Sequence, residues 1–146
     1  MDDTRLALER LIPASPEELF ELWVDPAQLC RWWAPNGYQC SVDALETRPG
    51  GRWRTSMSRS GSKAIAISGI YRVVERPRRL AFTWAWEQDD GSRGHETEVS
   101  VTFEPVTGGT RLVLVQQSFE NRQERDRHSF GWSTSFDRLE RIHGQA

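Results

Sequence analysis

The sequence predicts an α+β fold: a curved seven-stranded antiparallel sheet wrapped around a long C-terminal helix, with two short helices after the first strand. Three observations predict it. Leu80, Phe82, Trp84 and Trp86 share one parity, and equal parity on a strand means one face. From Cys40 onward six strand-like stretches follow one another across short turns, so neighbours should run antiparallel. The last stretch carries His128, Trp132, Phe136, Leu139 and Ile142 at helical spacing, an apolar stripe that must bury against the sheet.

Each element follows from local chemistry. Leu6, Leu8 and Arg10 alternate with Arg5, Ala7 and Glu9 in a first strand from Thr4 to Leu11, which Pro13 and Pro16 end. Ser15-Pro16-Glu17-Glu18 starts a helix, with Ser15 as N-cap, Pro16 at the first helical position and Glu18 closing a capping box. Leu19, Phe20 and Trp23 give it an apolar stripe. Asp25-Pro26 starts a second short helix that carries Leu29, Trp32 and Trp33 and ends at Pro35-Asn36-Gly37. The six strands then run Cys40–Thr47, Arg52–Ser58, Ala64–Val74, Arg79–Glu87, Glu96–Glu104 and Thr110–Ser118. In the fifth of these Thr97, Val99, Val101 and Phe103 face one way, and the charged and hydroxyl residues face water. The final helix spans about Gln123 to Ile142, with Gly144 as its stop. No repeat, linker or second domain is visible, so residues 1–146 read as one domain.

Composition narrows the function. Charged residues are 27% and apolar residues 37%, an ordinary globular balance. Seven Trp and six Phe are a heavy aromatic load, and each ring can bury roughly 150–250 Å². A net charge of −2 recruits neither nucleic acid nor an anionic surface. No apolar run reaches membrane-span length, and the acidic start has no signal-peptide pattern. Cys30 and Cys40 have no metal-ligand spacing and read as free thiols of a cytoplasmic protein. The basic clusters around Arg52–Lys63 and Arg72–Arg79 read as a solvated outer face. No nucleophile triad, phosphate loop or dinucleotide fingerprint is present, and no cofactor is expected.

A family resemblance rests on several motifs in order. They are Arg10-Leu11-Ile12-Pro13-Ala14-Ser15-Pro16, Trp32-Trp33-Ala34-Pro35, Arg48-Pro49-Gly50-Gly51-Arg52-Trp53, Gly69 with Arg78 to Trp84, Gly108-Gly109-Thr110-Arg111-Leu112, and Gly131-Trp132. Together they resemble the SRPBCC superfamily, and within it the activator of heat-shock-protein-90 ATPase homologue type. The resemblance implies a helix-grip, START-like fold with a pocket between sheet and long helix, where related proteins hold apolar molecules. Two departures stand out: Gln116 replaces a frequent His, and Glu46 a frequent Asp. The first removes a titratable group from the expected pocket floor.

The aromatic face can be a solid core or the wall of a cavity; the resemblance favours the cavity. Its ligand-binding residues are then Trp33, Trp53, Met57, Phe82, Trp84, Trp86, Val101, Leu114, Gln116, His128, Trp132 and Phe136, with Gln116 as the main polar contact. Entry is expected beside the short helix of Trp32 and Trp33. No catalytic or metal-binding residue is assigned, since His95 and His128 lack a partner spacing. Arg10 and Glu46 share parity with apolar neighbours. Either both turn inward and pair, or sheet curvature lets one reach water. The leading function is binding of a small apolar or amphipathic ligand. An alternative is a cyclase, dehydratase or hydrolase using His128, His95, Glu46 or Tyr71. Another is a co-chaperone-like interaction module, which the family's name alone does not establish. A homodimer and a chaperone partner stay open; nucleic acid and membrane insertion are not expected.

Overall fold

In the computed structural model, which describes residues 3–35 and 37–144 and side chains as far as Ile142, the start signals act as their residues dictate. The hydroxyl of Ser15 accepts from the Glu18 backbone N–H at 3.2 Å and opens α1 (Pro16–Val24). The carboxylate of Asp25 accepts from the N–H groups of Ala27 and Gln28 and opens α2 (Pro26–Leu29). The strands are β1 (Arg5–Ile12), β2 (Gln39–Leu45), β3 (Arg52–Ser58), β4 (Ile65–Glu75), β5 (Arg79–Trp86), β6 (Thr97–Val106) and β7 (Gly109–Gln117). They form one antiparallel sheet in the order β1-β7-β6-β5-β4-β3-β2. The last described element is α3 (Arg122–Gly144), opened by Asn121, whose side-chain oxygen accepts from the Glu124 N–H at 2.9 Å.

The inward parities are the expected ones on β5, β6 and β7. Leu80, Phe82 and Trp84, then Val99, Val101 and Phe103, then Leu112, Leu114 and Gln116 are all buried. Against them α3 lays Trp132, Phe136 and Leu139, and α1 adds Leu19, Phe20 and Trp23. The predicted α+β helix-grip architecture is therefore the observed one.

Two local expectations are corrected. The second helix stops at Leu29, so Trp32 and Trp33 lie in the turn after it. Adjacent helical residues point about 100° apart, too little freedom for both indoles to dock as they do. Trp32 donates its indole N–H to the Leu22 carbonyl at 2.8 Å, and Trp33 donates to the Thr55 hydroxyl at 3.0 Å. Asn36 of the predicted stop lies outside the described residues.

The second concerns Glu46 and Arg10: of the two alternatives the inward pair is not formed and Glu46 reaches water, through a bulge and not through sheet curvature. A β-bulge at Asp43 breaks the β2–β3 register between Val42 and Ala44. Beyond it the parity is reversed: Leu45, opposite buried Trp53, packs inward, and Glu46 turns out to solvent. There its carboxylate accepts from the Arg52 N–H at 2.8 Å, which holds its pKa below the usual range. Arg10 does face the helix, but its partners are Asp137 at 2.8 Å and Glu140 at 3.0 Å on α3.

Candidate functional site

The site grows out of the contact between β5, β7 and α3. Gln116 is fully buried, so each of its polar atoms needs a partner. Its oxygen accepts from the Trp132 indole N–H at 2.8 Å, and its NH₂ donates to the Thr97 hydroxyl at 2.7 Å. Thr97 in turn donates to the Trp84 carbonyl at 3.3 Å. This chain pins α3 to three strands, and it leaves Gln116 beneath Trp132 with both its amide oxygen and its amide nitrogen engaged.

Around that pin all seven tryptophans join one connected ring cluster. Trp23 lies 4.6 Å from Trp32 and stacks at 6.0 Å on Trp132. Trp33 reaches Trp53 at 6.0 Å and Trp84 at 5.6 Å. Trp84 meets Trp132 at 5.2 Å. Trp53 reaches across β4 to donate its N–H to the Thr83 carbonyl at 3.1 Å. Gly69 makes that possible, because a Cβ there would sit 1.8 Å from the same carbonyl oxygen. Most of the aromatic face is therefore packed core.

The packing is incomplete at one end. A cavity of about 140 Å³ remains there. Of the expected ligand-binding residues, Trp33, Met57, Trp84, Trp86, His128 and Trp132 line it. Trp53, Phe82, Val101, Leu114, Gln116 and Phe136 lie instead in the buried core outside its lining. Pro35, Ile67, Arg127, Gly131 and Ser135 complete the wall and were not foreseen. Ile67 and Ser135 had a usable signal: Ile67 has the parity of Tyr71 on β4, and Ser135 stands three residues after Trp132 on the inward helix face. Pro35, Arg127 and Gly131 are exposed and border the cavity on its solvent side. Helix α3 holds the Trp32–Pro35 turn over the cavity. Ser135 donates to the Trp33 carbonyl at 3.3 Å, and Arg138 donates to the Trp32 carbonyl at 3.1 Å.

His128 is the one titratable ring on this wall, and its state follows from its partners. An indole N–H can only donate, so Trp86 Nε1 at 2.9 Å makes His128 Nε2 an acceptor. Nδ1 then carries the proton and donates to the Glu124 carbonyl at 2.8 Å. Burial lowers the His128 pKa, while the Glu124 backbone bond opposes the shift. His95, a candidate only of the enzyme alternative, is exposed and bonds the Ser118 carbonyl. Tyr71 is buried away from the cavity, and burial pushes its pKa above the ordinary value. Among the described residues no three His, Cys, Asp or Glu side chains converge as a metal site. None of the described helices is long and apolar enough to cross a membrane.

A curved sheet closed on a long helix, with an apolar cavity between them, defines a helix-grip protein. A family model described as Activator of Hsp90 ATPase homolog 1-like protein matches residues 13–144, and the chain belongs to that family. The AHSA1 protein of Silicibacter pomeroyi is 33% identical, with a TM-score of 0.85 over 94% of this chain and 96% of that one. A protein of Chromobacterium violaceum superposes with a TM-score of 0.87 at 22% identity, covering 98% of this chain and 99% of its own. A solution structure from Arthrobacter aurescens gives 0.86 at 18% identity, covering 99% and 88%. The last two show the shared fold alone. Comparison with curated proteins gives no match.

Proposed function

We propose that this protein binds a small apolar or amphipathic molecule in the cavity between β5 and α3. The observation that carries the reading is the void of about 140 Å³ left among rings that otherwise touch one another. Close packing is the default for a protein interior. An apolar void of about 150 Å³ in another protein accommodates a benzene-sized guest. Both ring nitrogens of His128 are engaged by uncharged partners, which supports holding a ligand over transferring a proton. A cytoplasmic setting fits the free thiols of Cys30 and Cys40.

Intrinsic tryptophan fluorescence, titrated with naphthalene and related apolar aromatics, tests the proposal. A saturable change is expected in the wild type. It should be lost in Gly131→Leu, since a Cβ at Gly131 meets nothing within 4 Å and the longer side chain can cover the cavity mouth. A flat wild-type titration across the panel, or equal binding by Gly131→Leu, rejects it.

A further inference from the structure

A second cavity, of about 210 Å³, lies on the other side of the Trp86–His128 contact. Trp84, Trp86 and His128 border both voids. Each void alone falls short of the roughly 300 Å³ at which sites for drug-sized ligands begin; opened into one another they reach it. The shared wall has one fixed member and two looser ones. Trp84 is buried and touches Trp33, Trp53 and Trp132. Trp86 and His128 are only half-buried, and the 2.9 Å hydrogen bond between their rings spans the gap.

We propose that the Trp86–His128 hydrogen bond is a partition dividing one binding site into two lobes, and that a ligand larger than either lobe binds by displacing it. This rests on the ligand-binding reading above. The lobes differ in chemistry. The first is walled by Trp33, Met57, Ile67 and Trp132; the second adds Gln88, Glu120 and Glu124, which offer acceptor oxygens. The occupant is therefore an elongated, multi-ring or chain-like apolar molecule with a hydrogen-bond donor at one end.

The partition is also sensitive to protonation. A proton on His128 Nε2 would face the Trp86 N–H, two donors at 2.9 Å, and the bond cannot survive. The charged groups around His128 pull in both directions. Glu124 on α3 favours the imidazolium and Arg127 on α3 opposes it; Glu120 ahead of α3 and His95 ahead of β6 also border the second void. Entry of the larger ligand is thus linked to proton uptake, and acid should favour it.

The test uses the intact protein and two uncharged probes, naphthalene for one lobe and N-phenyl-1-naphthylamine for both, at about pH 8 and about pH 5. Naphthalene should bind equally at both pH values. N-phenyl-1-naphthylamine should bind roughly fivefold to tenfold tighter at the lower pH, the worth of one neutral hydrogen bond. His128→Gln keeps an acceptor for Trp86 but cannot titrate, and should bind the larger probe weakly at both. Trp86→Phe removes the donor and should bind it tightly at both. Naphthalene binding with a larger probe that shows no pH dependence, or with variants that match the wild type, overturns the partition and leaves the cavity reading standing. Failure of both probes in folded wild type and Trp86→Phe overturns both.

Discussion

Gly69 is set by what surrounds it. Its missing Cβ lets the Trp53 indole cross β4 and bond the Thr83 carbonyl. Gly69→Ala would place a methyl group where backbone already lies, and overpacking of this kind costs about 1–3 kcal/mol. Urea denaturation should show that loss, with a changed near-UV aromatic signal from Trp53. An unchanged midpoint would mean that β4 can move aside. Cys40 makes a second, chemical prediction. Burial raises its thiol pKa, and the neighbouring Cys30 adds to the shift. The thiolate is the reactive form, so alkylation at about pH 8 should be at least roughly tenfold slower at Cys40 than at an unperturbed thiol. Mass spectrometry of partially alkylated protein reads this directly.

Helix α3 is held by more than its apolar stripe. Trp132 donates to Gln116, Ser135 and Arg138 hold the Trp32–Pro35 turn, and Arg10 reaches Asp137 and Glu140. The Gln116 contact is the most buried of these. Gln116→Leu keeps the shape but strands the Trp132 N–H, and should cost about 1–3 kcal/mol. Gln116→His, which restores the residue frequent in the resembled family, can accept the same bond and should recover part of the loss. If Gln116→Leu melts with the wild type, the pin contributes nothing. The start of α3, expected from the apolar stripe at about Gln123, falls at Arg122, where the Asn121 side chain accepts from the Glu124 N–H. The end of α2 was not readable, because the destinations of Trp32 and Trp33 lie on α1 and β3, far along the chain.

For the molecule as a whole, His128 ties stability to pH. Its folded pKa is lowered, so between that value and the ordinary value of about 6.5 the unfolded chain binds more protons. The contribution of neutral His128 is complete above about pH 6.5 and is lost as pH falls through the folded value. The difference in unfolding free energy between wild type and His128→Gln, followed from about pH 8 to about pH 5, should shrink in that direction. A constant difference would show that His128 has no lowered pKa.

The fold was legible because it is written in local chemistry and periodicity. Ser15 and Asp25 cap the helices they precede, turns separate the strands, and the parities of β5, β6 and β7 hold without interruption. The site was legible only in part. Parity says that Trp53, Phe82, Gln116 and Trp132 face inward, and it is silent on whether inward-facing groups touch. Tertiary packing decided that. Gln116 is held by Trp132 and Thr97, Trp53 by Thr83, and the two voids remain on either side of the Trp86–His128 contact. The bulge at Asp43 broke the parity that Glu46 shares with Val42, and so decided an alternative that alternation alone left open. One extra residue there looks like any other in the chain, because a strand's facing is a property of its pairing as well as of its own alternation.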